Sequence, residues 1–234
     1  MTDAQLGARS STDIAGHDVL VLVPLGATEQ HGPHLPLDTD TRIAVEVADR
    51  AAAVVGPPAL VAPALSYGAS GEHQSFPGTV SIGHEALRSL LVEYGRSAFD
   101  WASRLVFVNG HGGNIATLMA AVPQLREEGR DAAWFACAPA GGDAHAGHTE
   151  TSMLLSFAPE VVDLAAAVPG RTEPIAEILD DLRRGGVAAV APNGVLGDPT
   201  TADAGHGARL MAGMVDELVG ALARWEPGDR GRVR

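Results

Sequence analysis

Four short apolar runs, at residues 19–25, 59–65, 104–109 and 132–138, alternate along the chain with segments of helical periodicity. That alternation is the strongest constraint on the fold. Val19-Leu20-Val21-Leu22-Val23-Pro24-Leu25 is unbroken and rich in β-branched residues, the composition of a strand buried on both faces. Leu87, Leu90, Leu91, Tyr94 and Ala98 fall at i, i+3, i+4, i+7 and i+11, the stripe that one face of a helix presents to a core. Further helices are expected near 41–54, 114–128, 149–158, 173–184 and 204–224. Strands alternating with helices predict an α/β layered fold.

A chain of 234 residues can bury a substantial core. Its Pro and Gly residues are dispersed, and no repeat, Ser-rich linker or charge block interrupts it before residue 226. We therefore expect one domain over residues 1–225 and a polar C-terminal tail over 226–234. A formal net charge of -13 disfavours nucleic-acid and anionic-membrane partners, because an acidic surface repels phosphate. The single cysteine, Cys137, excludes an intramolecular disulfide, and its setting in Ala132-Ala133-Trp134-Phe135-Ala136-Cys137 reads as an inert strand thiol. No apolar stretch approaches a membrane span, and Met1-Thr2-Asp3-Ala4-Gln5 is not a basic leader. A cytoplasmic location is expected.

The chemistry-bearing residues fall in the loops after the strands, where parallel sheets bind ligands. The first loop holds Glu29, His31, His34, Asp38 and Asp40. The second runs from Tyr67 through Ser70, Glu72, His73 and Phe76 to Thr79. The third is Asn109-Gly110-His111-Gly112-Gly113-Asn114, and the fourth carries Asp143, His145, His148 and Glu150. Seven of the nine histidines lie in or beside these loops, a bias that scattered surface histidines would not have. Taken singly, Asp38 and Asp40 read more readily as helix caps and each histidine as a solvated loop residue. Their concentration favours a metal site. Glu29 and His31, two apart past a strand end, leave an extended chain on the same side. A phosphate cradle at Gly110–Asn114 is disfavoured: the spacing matches no nucleotide fingerprint and no basic residue lies in it.

Carboxylates and imidazoles without thiolates suit Zn(II), Mn(II) or Fe(II). Glu29, His31, Asp40, His111 and Glu150 are enough for two divalent ions about 3.5–4 Å apart sharing a carboxylate, with Asp40 the expected bridge. Such a pair activates water and polarises a carbonyl, the requirement for amide hydrolysis. His145, in a Gly-rich loop beside the ligands, is the candidate proton carrier to the leaving amine. Ser66, Ser70 and Ser75 lack the turn of an activated serine nucleophile.

Together, Gly26-Ala27-Thr28-Glu29-Gln30-His31-Gly32-Pro33-His34-Leu35-Pro36, the distant Asp40, Asn109-Gly110-His111-Gly112-Gly113-Asn114 and His145-Ala146-Gly147-x-x-Glu150-Thr151-Ser152 resemble the creatininase (creatinine amidohydrolase) family over residues 19–220. The resemblance implies a three-layer α/β/α sandwich with a mostly parallel central sheet, a dinuclear metal centre and a closed homo-oligomer, a hexamer or similar ring. It also implies that Glu29, His31, Asp40 and His111 are ligands and that His145 is catalytic. Creatininase itself has His-Tyr-Glu-Asn where this chain has His111-Gly112-Gly113-Asn114. The Gly-Gly branch would instead complete the second metal with Glu150. Trp101, Trp134 and Trp225 lie outside the four loops, so the creatinine pocket has no evident counterpart.

Within that branch, Ser70-Gly71-Glu72-His73-Gln74-Ser75-Phe76-Pro77-Gly78-Thr79-Val80-Ser81-Ile82-Gly83 is most similar to the mycofactocin-system peptidases. That similarity implies cleavage of a radical-modified precursor peptide to release its C-terminal Val-Tyr-derived unit. Tyr67, Glu72, His73, Phe76, Gly112 and Gly113 would then line the substrate, although Phe76 reads equally as loop packing. Another amidohydrolase of the same fold, such as a formylaminopyrimidine deformylase or a cyclic-amide hydrolase, is the nearest alternative. It is disfavoured by the absence of Arg and Lys from the four loops. A non-catalytic metal-binding scaffold would not need His145.

Overall fold

The computed structural model describes residues 4–234. Strands β1 (Leu20–Leu25), β2 (Ala59–Val61), β3 (Arg104–Asn109) and β4 (Ala132–Ala136) form one sheet in the order β2-β1-β3-β4, and every pair is parallel. The register sets Leu25 opposite Asn109 and Asn109 opposite Ala136. The carboxyl ends of β1, β3 and β4 therefore finish level, and their loops open on the same side of the sheet.

The helices are α1 (Ser11–Ile14), α2 (Thr39–Val55), α3 (Gly83–Ala98), α4 (Ile115–Glu127), α5 (His148–Phe157), α6 (Ile175–Gly185), α7 (Val187–Val190) and α8 (Ala204–Arg224). Alternate strand residues sort them into two layers. Leu20, Leu22, Val106, Val108 and Phe135 pack with Val47 of α2, Met153 of α5 and Met211 of α8. Val21, Val23, Leu105, Phe107 and Trp134 pack with Leu87 and Leu91 of α3 and Leu118 and Val122 of α4. Both faces of every central strand are thus dry, which explains the unbroken apolar runs. Each fully buried Leu or Phe contributes roughly 1.5–3 kcal/mol through removal from water. A smaller cluster, Ile178, Val187, Val190, Ala191 and Leu196 with Phe76 and Leu182, joins α6 and α7 to the second loop.

Two expectations are corrected. The second run pairs as a strand only to Val61, because Pro63 has no N–H to donate; Leu65 rejoins β1 as an isolated bridge to Leu25. The polar tail at 226–234 folds back along β4. Trp134 N–H donates to the Gly231 carbonyl, Val233 N–H donates to the Trp134 carbonyl, and Val233 is buried. The open edge of β4 offers unpaired backbone groups, and one apolar residue anchors the segment that covers them. Among the described residues no helix is long and apolar enough to cross a membrane.

Candidate metal centre

The first turn of α2 is wedged between the loops that leave β1 and β3. A Cβ on Gly110 would run into the Asp40 carbonyl oxygen, and one on Gly26 into Thr41. Only glycine lets the three segments approach so closely. Two asparagines tie them together: Asn114 donates to the Gly26 carbonyl (3.0 Å) and to Asn109 Oδ1 (3.1 Å) and accepts from Ala69 N–H (2.9 Å). Asn109 donates to the His111 carbonyl at 2.7 Å. In the fourth loop the Asp143 carboxylate accepts from the backbone N–H groups of His148 and Thr149, fixing the start of α5. Ala146, at φ 51°, turns its N–H onto Glu150 Oε2 at 2.6 Å. A left-handed non-glycine residue costs about 1 kcal/mol or more, and here that conformation aims a ligand-type carboxylate.

The result is a buried cluster centred on Asp40. Asp40 Oδ1 lies 3.1 Å from His31 Nε2, and Oδ2 lies 3.2 Å from His111 Nδ1. Glu29 Oε2 is 3.3 Å from His111 Nε2, and Glu150 Oε2 is 3.9 Å from His31 Nε2. Glu29, His31, Asp40, His111 and His145 are each less than a tenth exposed. Three groups have donor atoms close enough to share an ion: Glu29–Asp40–His111, His31–Asp40–Glu150 and Glu29–His31–His145. Both oxygens of Glu29 and Oδ2 of Asp40 are buried without a hydrogen-bond partner. Such groups are costly unless compensated, and a hard cation held by oxygen and nitrogen donors compensates them. His31 Nδ1 sits 3.1 Å from the Glu29 carbonyl, the bond that commits Nε2 to a metal. The residues present fit a metal centre.

The protonation of the cluster tells the same story. Burial raises Glu29 to about 8, assisted by the Asp40 charge and opposed by His111 and His31. Burial likewise raises Glu150 to about 7, against the pull of His31. For His31 and His111 burial acts downward, but neighbouring carboxylates outweigh it and raise them to about 10 and about 9. Burial works upward on Asp40, yet the two imidazoles hold it far below the usual carboxylate range. Protons therefore balance the carboxylates at the positions where a divalent cation would compete for them. Burial, with the charges of His111 and His31, holds His73 down to about 3; burial with His31 and His73 keeps His145 well below its ordinary value.

Of the residues expected to line a substrate, Glu72 reaches the cluster edge, with Oε1 3.6 Å from His111 Nε2 and the side chain 37% exposed. Gly112 and Gly113 follow His111 directly. His73 lies deeper than expected, buried, with Nε2 3.3 Å from Glu29 Oε1. Tyr67 is exposed, and Phe76 packs against the small α6–α7 cluster. His34 is buried but turned to Thr151 Oγ1 at 2.9 Å, and Asp38 pairs with Arg42 at 2.7 Å. Neither joins the cluster. Reading the sequence missed Gln30, whose buried amide touches His73 and His145; its only signal was its place between two ligand-type residues.

Residues 7–222 match the creatininase family, described as creatinine amidohydrolase. The chain belongs to the creatininase family. Against this family background it is 60% identical to the mycofactocin precursor peptide peptidase of Mycobacterium ulcerans (strain Agy99), over 98% of this chain and 94% of the relative. Among solved structures, a creatininase variant of Zn–Zn type superposes with a TM-score of 0.79 at 27% identity, covering 96% of this chain and 98% of that one. A creatininase Mn structure superposes with a TM-score of 0.78 at 27% identity, covering 95% and 98%. This creatininase-family chain thus shares its fold with metal-containing hydrolases.

Proposed function

We propose that this amide-bond hydrolase cleaves the radical-modified mycofactocin precursor peptide and releases its C-terminal Val-Tyr-derived unit, using two divalent ions per subunit. The observation that carries the two-ion reading is Asp40, whose two oxygens face different imidazoles 3.1 and 3.2 Å away. Glu29 and His111 would complete one site with it, and His31 and Glu150 the other. Bound there, the ions supply water activation and carbonyl polarisation; their identity among Fe(II), Zn(II) and Mn(II) is open to metal analysis. His145 carries the proton from water to the leaving amine. Glu72, half-buried beside His111, and Gly112, beside which a Cβ would meet nothing within 4 Å, are the groups through which a peptide end would approach. The identity to a named precursor-peptide peptidase, 60% against 32% to a creatinine amidohydrolase, supports the substrate. A cytoplasmic closed homo-oligomer completes the reading.

The test is to incubate metal-replete protein with the modified precursor and look for the released unit by mass spectrometry, beside a chelated control. Metal-dependent release is expected. No release at full metal occupancy would overturn the substrate and direct the search to formamides and cyclic amides.

A further inference from the structure

Gln30 stands between Glu29 and His31, and its side chain is 5% exposed. Two backbone groups of fixed polarity orient its amide: Gly32 N–H donates to Oε1 at 2.9 Å, and Nε2 donates to the Gly194 carbonyl at 3.0 Å. One Nε2 proton is left, and that nitrogen cannot accept. His73 Nδ1 lies 2.8 Å from it and His145 Nε2 lies 3.0 Å from it. His145 Nε2 is also 2.8 Å from the Gln30 backbone carbonyl, which can only accept. One assignment pairs a donor with an acceptor at both 2.8 Å contacts. Gln30 donates to His73 Nδ1, and His145 Nε2–H donates to the Gln30 carbonyl. The reverse sets lone pair against lone pair at 2.8 Å.

Both imidazoles then carry their proton on Nε2, but they turn opposite ends to Glu29. His73 points its Nε2–H at Glu29 Oε1 over 3.3 Å, whereas His145 presents a bare Nδ1 at 3.7 Å from the same oxygen. Their rings lie 4.3 Å apart, centre to centre, with the His31 ring 4.3 Å beyond that of His145.

We propose that Gln30 is a positioning residue of the hydrolysis: through its side chain it keeps the His73 proton on Nε2, the nitrogen that faces Glu29, so that His73 is not a ligand, and through its carbonyl it delivers His145 to the reacting atoms as a proton acceptor. The role in turnover rests on the proposed hydrolytic reading of the site. As the water oxygen bonds to the amide carbon, His145 Nδ1 takes a water proton. It passes that proton to the nitrogen as the C–N bond breaks, so His145 ends neutral and the products are a carboxylic acid and an amine.

Heteronuclear NMR of the imidazole nitrogens, on histidine-labelled protein in zinc-loaded and chelated forms, reads the tautomers without substrate. His73 is expected to show a protonated Nε2 and a bare Nδ1 in both forms. In Gln30→Glu, whose carboxylate can only accept, His73 is expected to move its proton to Nδ1. Gln30→Met is expected to lower kcat on the modified precursor about 10–100-fold, with metal content and KM unchanged. A wild-type His73 protonated on Nδ1 or bound to zinc would overturn the proposal, as would Gln30→Met retaining kcat within about twofold. If the precursor is not cleaved at all, the substrate reading fails while the nitrogen spectra still decide the role of Gln30.

Discussion

The Glu72 carboxylate occupies the space that a side chain on Gly113 would need: a Cβ there would stand 2.7 Å from Glu72 Oε1 and would also run into His111 Nε2 and the Ala69 carbonyl. A side chain at Gly113 therefore has room only if Glu72, His111 or the Ala69 backbone gives way.

Gly113→Ala is therefore expected to cost about 1–3 kcal/mol through overpacking and to lower metal content by displacing His111. Gly112→Ala, one residue away, is expected to leave both unchanged, since its Cβ would meet nothing within 4 Å. Thermal melts and metal analysis of the pair check this. Wild-type stability and metal content in Gly113→Ala would show that the wall yields. Gly113→Glu is expected to fail in the same way rather than restore a ligand.

Metal content also separates the residues proposed to hold ions from the one proposed to move a proton. Asp40→Asn is expected to lose both ions, because it weakens the carboxylate that faces His31 and His111 together. His145→Ala is expected to keep its metal and lose about 10²–10⁴ in kcat. Plasma emission analysis beside turnover of the modified precursor reads both. A full metal complement in Asp40→Asn would remove the shared carboxylate, and unchanged turnover in His145→Ala would remove the proton carrier.

Much of this arrangement is legible in the sequence because strand burial and loop chemistry are local. Leu22 and Phe107 announce a two-faced sheet, and Glu29, His31, His111 and His145 each follow a strand end. What was hidden depends on contacts between distant segments. Val233 looks like one apolar residue in a polar tail until Trp134 leaves an edge to cover. Gln30 and His73 gain their meaning from each other, 43 residues apart. Phe76, equally readable as substrate wall or packing, is drawn away by α6 and α7, whose apolar residues needed a partner.

Loading the chelated protein with zinc is expected to release protons, since burial and neighbouring charge leave Glu29, His31 and His111 with raised proton affinity. Apparent affinity should therefore climb as pH rises through the neutral and mildly alkaline range. Calorimetry in two buffers of different ionisation enthalpy measures the release. An identical apparent enthalpy in both would mean that no protons leave, and that the ions bind elsewhere.

His34 offers a pH effect away from the proposed ligands. Burial, with the His31 charge, lowers it to about 4, and its Nδ1 has no partner. An unfolded histidine titrates near about 6.5. Between those values the unfolded chain binds a proton that the folded chain does not, so this residue's contribution falls as pH drops from about 6.5 to about 4 and then levels off. The loss amounts to about 2–3 kcal/mol. His34→Gln can still bond Thr151 but cannot titrate. Relative to wild type, the variant is expected to gain that amount between about pH 7 and about pH 4. Urea unfolding of the chelated proteins across this range measures the difference. A gap that does not change with pH would show that His34 titrates in the fold as it does in the unfolded chain, and that its unpartnered nitrogen is reached by solvent.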